Sequence, residues 1–224
     1  MGEEYIRNSN ILSSLPHLGP LIYLNDFSNG LQMDVNGVEE DYIVNVTNCY
    51  SLIGGYSAYM RTNYTNAAVA DLVQLRKKLP LPASPYIALD STFMFPGSGG
   101  LSGLLFDLEF QNGNETIYAC LRHAYADKVW GIEISDGLFS NIATPECPLT
   151  PYAWHHIHIE MDFANKTFLK LVSDNQIIKT FDFGMWSVTE ATNSFIQLNI
   201  TIEASGAQRP QIYVDNIMLS SIRA

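Results

Sequence analysis

Two acids spaced two residues apart, Asp107 and Glu109, interrupt the apolar run Leu104-Leu105-Phe106-Asp107-Leu108-Glu109-Phe110. In an extended strand that spacing puts both carboxylates on one face, opposite Phe106, Leu108 and Phe110. Such a pair suits a hydrolytic acid/base couple, acceptance of sugar hydroxyls, or a plain solvated face. His156, His158 and Glu160 share a second polar face, with Ile157, Ile159, Met161 and Phe163 opposite. His-x-His on a strand aims both imidazoles the same way, which is a zinc-ligand geometry; a solvated polar face is the simpler reading. Trp130, beside Gly131, and Trp186, in Gly184-Met185-Trp186-Ser187, are the aromatic planes a sugar's C–H face would stack on, and Trp154 reads as a plug at a strand start. The row Gln197, Asn199, Thr201 and Glu203, opposite Ile196, Leu198, Ile200 and Ile202, offers amides and a carboxylate to the same kind of ligand.

Several chemistries find no support. There is no Gly-x-Ser-x-Gly, and no cysteine sits in a Cys/His context. Gly97-Ser98-Gly99-Gly100 is followed by neither Lys-Ser/Thr nor a helix, so no phosphate loop is expected. Twelve Lys plus Arg against 23 Asp plus Glu give a formal charge of -11, which repels phosphate backbones and argues against nucleic-acid partners. No window approaches the roughly 20 apolar residues of a membrane span, and Met1-Gly2-Glu3-Glu4 lacks the basic start of a signal peptide. Cys49, Cys120 and Cys147 permit at most one internal disulfide, with three pairings open. Five sequons, at Asn45, Asn63, Asn114, Asn165 and Asn199, point toward a secreted or cell-surface protein. Asn199 cannot both carry a glycan and line a tight groove.

The elements that must position these residues are strands. Residues 1 to 24, with Pro16, Gly19 and Pro20 and no apolar period, read as an irregular arm, and 25 to 224 as a single domain. Alternation predicts about eleven short strands, among them Tyr86 to Phe95, Leu104 to Phe110, Thr116 to Tyr125, His155 to Phe163, Ser194 to Glu203 and Gln211 to Leu219. Ala67 to Lys78 fits a helix or a strand equally. Many strands, hairpin turns and almost no helix imply an all-β, two-sheet antiparallel sandwich.

The Trp154-led alternating strand, the turn at Asp174-Asn175, the strand Thr167-Phe168-Leu169-Lys170-Leu171 and the closing Tyr213-Val214-Asp215-Asn216-Ile217 resemble the concanavalin A-like lectin and glucanase superfamily. The resemblance is strongest over residues 150 to 219, and Gly55-Tyr56-Ser57-Ala58-Tyr59-Met60 adds a weaker match. It implies a jelly roll and a carbohydrate partner, and it specifies architecture better than activity. It also implies a structural calcium ion held through Asp26 and Asp215. Catalytic relatives carry Glu-x-Asp-x-x-Glu on one strand; the nearest string here, Glu160-Met161-Asp162-Phe163-Ala164-Asn165, has Asn where the proton donor belongs. The expectation is therefore a non-catalytic carbohydrate-binding or adhesion module. The rivals are a glycoside hydrolase or polysaccharide lyase using Asp107, Glu109 and Glu160, and a purely structural surface or virion domain.

Overall fold

A computed structural model describes residues 18–37, 42–52, 54–62, 72–97, 100–142, 148–174, 176–190, 193–205 and 209–222. Among these there are sixteen strands and no helix. In chain order they are β1 (Leu18–Asn25), β2 (Asp34–Gly37), β3 (Ile43–Thr47), β4 (Ser57–Arg61), β5 (Leu72–Pro80), β6 (Tyr86–Met94), β7 (Leu101–Gln111) and β8 (Glu115–Ala124). There follow β9 (Val129–Ser135), β10 (Leu138–Asn141), β11 (His155–Asp162), β12 (Thr167–Ser173), β13 (Gln176–Gly184), β14 (Trp186–Thr189), β15 (Phe195–Ala204) and β16 (Gln211–Ile222). One sheet runs β13-β12-β11-β6-β16-β4-β3, with β1 also on β16; the other runs β10-β9-β8-β7-β15-β5-β2, with β14 on β8. The two antiparallel sheets make a β-sandwich, as the strand pattern predicts.

Alternation along each strand supplies the core between the sheets. Phe106 and Leu108 from β7, Ile196, Leu198 and Ile200 from β15, Ile87, Leu89 and Phe93 from β6 and Ile157, Ile159 and Met161 from β11 are almost wholly buried. Phe93 of one sheet meets Phe106 of the other with ring centroids 5.7 Å apart. Burying large apolar side chains of this kind contributes about 1.5–3 kcal/mol each.

The strand β16 changes parity on the way. Ile212 and Val214 face the core, and so do Ile217 and Leu219. The register on β6 shifts between Asp215 and Met218, and Asn216 sits at φ 53°, so a bulge absorbs the odd residue.

Two segments depart from the sequence reading. The residues 18 to 25, expected to be part of an irregular arm, form β1 against β16, from Leu18 opposite Ile222 to Asn25 opposite Ile217. Register shifts between Leu18 and Leu21 and between Leu21 and Tyr23 break the apolar alternation, which is why no period is visible there. Residues 1–17 lie outside the described set. Of the ambiguous window Ala67 to Lys78, residues 72–78 are strand β5, with Val73 and Leu75 fully buried at a period of two, and 67–71 lie outside the described residues. β2 covers β5 only from Val73 to Arg76, so Pro80 falls where no partner on that side needs its missing amide donor.

The bulge yields a test. Asn216→Gly should leave stability within about 0.5 kcal/mol, whereas Asn216→Val should lower it by about 1–3 kcal/mol, because a β-branched residue is strained at positive φ. Urea unfolding of the two variants checks the difference.

Candidate functional site

The face of the second sheet turned away from the core carries a polar cluster built by register. Asn199 stands opposite Asp107 and Gln197 opposite Glu109 across β15 and β7. Asn199 Nδ2 donates to Asp107 Oδ2 at 2.8 Å and to Glu109 Oε1 at 2.9 Å. Gln197 Nε2 donates to the same Glu109 oxygen at 3.0 Å and to Asn199 Oδ1 at 3.2 Å. Both amide side chains are thereby fixed, and Glu109 Oε2 takes no hydrogen bond from the described residues. Asn199 is 2% exposed, so in the folded chain its amide nitrogen is closed to a glycan.

The row continues into aromatic side chains. Tyr118 on β8 stands opposite Glu109, and Trp186 on β14 opposite Tyr118. Their rings stack at 4.1 Å with an interplanar angle of 11°. β14 is pinned beside β8 by Lys166, whose Nζ donates to Glu115 Oε2 at 2.5 Å and Ser187 Oγ at 3.0 Å, and by the Met185 amide on the Lys166 carbonyl at 2.7 Å. Trp186 Nε1 is buried without a hydrogen-bond partner. On the other side of β15, Gln74 donates to Thr201 Oγ1 at 3.0 Å and accepts from Arg76 Nη2 at 2.9 Å.

Asp107 is an unusual acid. Burial first, and then the charges of Glu109 and Glu133, push its carboxyl up to about 7 despite the bond from Asn199. Burial and the neighbouring Asp107 likewise push the Cys120 thiol up.

The histidines form a separate cluster on the outer face of the first sheet. His158 is 1% exposed and lies between Asp90 Oδ1, at 2.9 Å from Nδ1, and Glu160 Oε1, at 3.0 Å from Nε2. His156 Nε2 meets the same Asp90 oxygen at 3.2 Å, and Lys170 reaches Glu160 at 3.4 Å. Burial would lower the His158 pKa, but the bonds and charges of Asp90 and Glu160 raise it to about 9. The imidazolium is thus a buried cation between two anions, not a solvated or free ligand. Among the described residues no three His, Cys, Asp or Glu side chains converge on a metal position.

Three sequence expectations need correction. Trp130 is 1% exposed in the core, against His123 at 4.9 Å and Phe106 at 6.4 Å, so it is no sugar platform. His156 and His158 belong to the other sheet and are occupied by carboxylates, so they do not join the ligand face. Glu160 is with them, and a catalytic trio with Asp107 and Glu109 does not assemble. Trp186, Asp107, Glu109 and Gln197 do come together. Tyr118 was not singled out from sequence; its place opposite Glu109 follows only once the β7–β8 register is known.

The two carboxylates assigned to calcium lie against the segment between β3 and β4, at Ser51, Leu52 and Gly54. Asp215, fully buried, accepts from the Leu52 amide at 2.7 Å and the Ser51 hydroxyl at 3.3 Å. Asp26 Oδ1 caps Ser28, and its Oδ2 would lie 3.5 Å from a Cβ placed on Gly54, which has φ 75°. A cavity of about 550 Å³ lies elsewhere, lined by Pro20, Ile22, Leu79, Leu81 and Ile222. Its lining is mostly apolar and includes none of these groups. Cys49 and Cys120 are not bonded to each other, and Cys147 lies outside the described residues.

No protein-family model matches the chain, and no curated protein matches it in sequence. Solved structures do match it in fold. An endo-β-1,4-glucuronan lyase from the fungus Trichoderma reesei is similar over 92% of each chain, at 12% identity and a TM-score of 0.55. A carbohydrate esterase of the Shiga toxin-encoding bacteriophage phi24B covers 91% of this chain and 99% of its own, at 12% identity and TM-score 0.57. A carbohydrate-binding module of the β-sandwich superfamily covers 87% of this chain and 60% of its own, at 12% identity and TM-score 0.53. What the chain shares with these structures is the two-sheet antiparallel β-sandwich fold.

The two perturbed groups predict a shaped pH profile. Asp107 binds its proton more tightly folded than unfolded, so its contribution falls as pH rises from about 4 to 7. Asp107→Asn should remove that slope and gain on the order of 3 kcal/mol at pH 8. His158 contributes fully below its ordinary 6.5, and that stability is lost as pH rises through about 9. Thermal unfolding from pH 4 to 10 of the wild type, Asp107→Asn and His158→Gln separates the two windows.

Proposed function

We propose that this chain is a non-catalytic carbohydrate-binding module whose sugar site is the outer face of the second sheet. The observation that carries the reading is the single row Gln197, Glu109, Tyr118, Trp186, which sets fixed hydrogen-bonding groups beside an aromatic stack. A pyranose presents hydroxyls at its rim and C–H bonds on its face, and this row offers partners for both. The polar members are held by one another, so little side-chain order is lost when a ligand arrives. The fold similarity to carbohydrate-binding and carbohydrate-processing structures supports the ligand class, and the exposed sequon residues Asn45, Asn114 and Asn165 support a location outside the cell or at its surface.

A hydrolase is the second reading, because Asp107 and Glu109 both contact Asn199 Nδ2, at 2.8 and 2.9 Å. Carboxyl groups that close would suit a retaining mechanism. Against it, Asp107 Oδ1 is sealed from solvent and makes no hydrogen bond, so the acid with the raised pKa has no route to a glycosidic oxygen.

A calcium ion of the kind the resemblance implies would be held beside residues 48–52 and 54–56, with hard oxygen ligands from the buried Asp215 carboxylate, Asp26 and main-chain carbonyls. Its role would be to fix that segment.

A glycan array with the purified chain tests the main reading. Trp186→Ala should cost at least about tenfold in affinity, as loss of a stacking platform does. Trp130→Ala should instead destabilise the fold by about 3–5 kcal/mol. No binding to any glycan would refute the proposal, and glycan cleavage by the wild type abolished in Glu109→Gln would replace it with the hydrolase. For calcium, millimolar ion should raise the melting temperature by several degrees over chelator, and Asp215→Asn should erase the shift; equal melting temperatures would dismiss the ion.

A further inference from the structure

The site's charge names the sugar it takes. We infer that the Tyr118–Trp186 platform accepts neutral glycan chains and rejects those bearing carboxylates, an inference that rests on the carbohydrate-binding reading above. Three acids, two on β7 and one just past β14, stand around the aromatic pair. Glu109 and Asp107 stand beside Tyr118 on β7, and Glu190, just past β14, accepts from Thr116 Oγ1 at 2.7 Å on β8. None of the three has a Lys or Arg partner among the described residues.

The nearby cations are held by other groups or stand off the platform: Lys78, in the same row on β5 beyond Gln197, lies over the Phe195 ring at 3.3 Å, two strands from Glu109. Lys166 is held by Glu115 at 2.5 Å, and Arg122 by Glu203 at 2.9 Å. Arg76 lies on β5, three strands from Tyr118 by way of β15 and β7. At about 4.8 Å per strand that is roughly 14 Å, beyond the screening length of about 8 Å at physiological salt. The acids therefore set the local potential, and Tyr118 registers it: burial, then Glu109, Glu190 and Asp107, raise its phenol pKa.

A uronate ring stacked on Trp186 would hold its own carboxylate within reach of Glu109, and like charges brought together without a cation between them weaken binding. A neutral ring loses nothing, and its hydroxyls can donate to the free Glu109 oxygen.

Affinity electrophoresis of the full chain distinguishes the outcomes. Gels would contain soluble β-1,4-glucan, β-1,4-mannan or β-1,4-galactan, each run beside the same polymer oxidised at C6 to its uronate. The inference expects retardation by at least one neutral polymer and affinity roughly tenfold weaker for its oxidised form. The gap should shrink in roughly 0.5 M salt, because exposed charges are then screened. Glu190→Gln should narrow it by about threefold while leaving the neutral polymer's retardation unchanged. A uronate polymer that retards the chain as strongly as its neutral parent overturns the inference and leaves the sugar-binding reading standing. Absence of retardation in all six gels overturns both.

Discussion

The register between β7 and β15 is the constraint on which the candidate site depends. It sets Ile196, Leu198 and Ile200 beside Phe110, Leu108 and Phe106 on the core face, and on the other face it sets Gln197 and Asn199 against Glu109 and Asp107. A slip of one residue would send the apolar set to solvent and the carboxylates into the core, so hydrophobic burial enforces the polar pairing. The ligand groups are thus placed by the same force that closes the sandwich, and no loop is needed to hold them. Strand-borne groups of this kind are held more tightly than groups on loops.

The two outer faces solve the problem of buried charge differently. On the first sheet the His158 imidazolium lies between Asp90 and Glu160, and Lys170 reaches Glu160, so each anion contacts a cation and the chain of contacts holds β6, β11 and β12 together. On the second, Asp107 and Glu109 share an amide donor rather than a cation. A neutral dipole cannot cancel two like charges, and Asp107 answers by holding its proton to about pH 7. The first arrangement is self-satisfied and structural in character. The second leaves acceptor capacity unused, which is what a polar ligand requires.

Much of this was legible in the sequence, and the limits have physical causes. The strands β7, β11, β15 and β16 announce themselves because each buries one face, and burial on one face writes a period of two into the chain. Naming Asp107, Glu109, Gln197 and Trp186 as candidates needed only alternation and residue chemistry; their meeting on one face did not follow from it. Alternation says which residues share a face of one strand, but not which strands are neighbours. That is why Glu160 and the histidines looked equally eligible to join Asp107, although β11 belongs to the other sheet. Trp130 misled for a related reason: β9 has one buried face, and a Trp beside a Gly carries no sign of which face it occupies. β1 was hidden because its bulges erase the period altogether.

Asp107 also connects stability to binding. A buried carboxyl with a raised pKa makes the folded state less stable at neutral pH than an amide in its place would. What it provides is orientation. By accepting from Asn199 Nδ2, Asp107 fixes which end of that amide faces β7, and the same nitrogen then donates to Glu109. With the amide nitrogen directed at the acids, Asn199 Oδ1 is left to receive Gln197 Nε2, so all four side chains take one arrangement. Removing the negative charge while keeping an acceptor would preserve that chain of hydrogen bonds. Removing the acceptor would free Asn199 to flip and present its oxygen to Glu109, and the row beside Tyr118 would lose its single geometry.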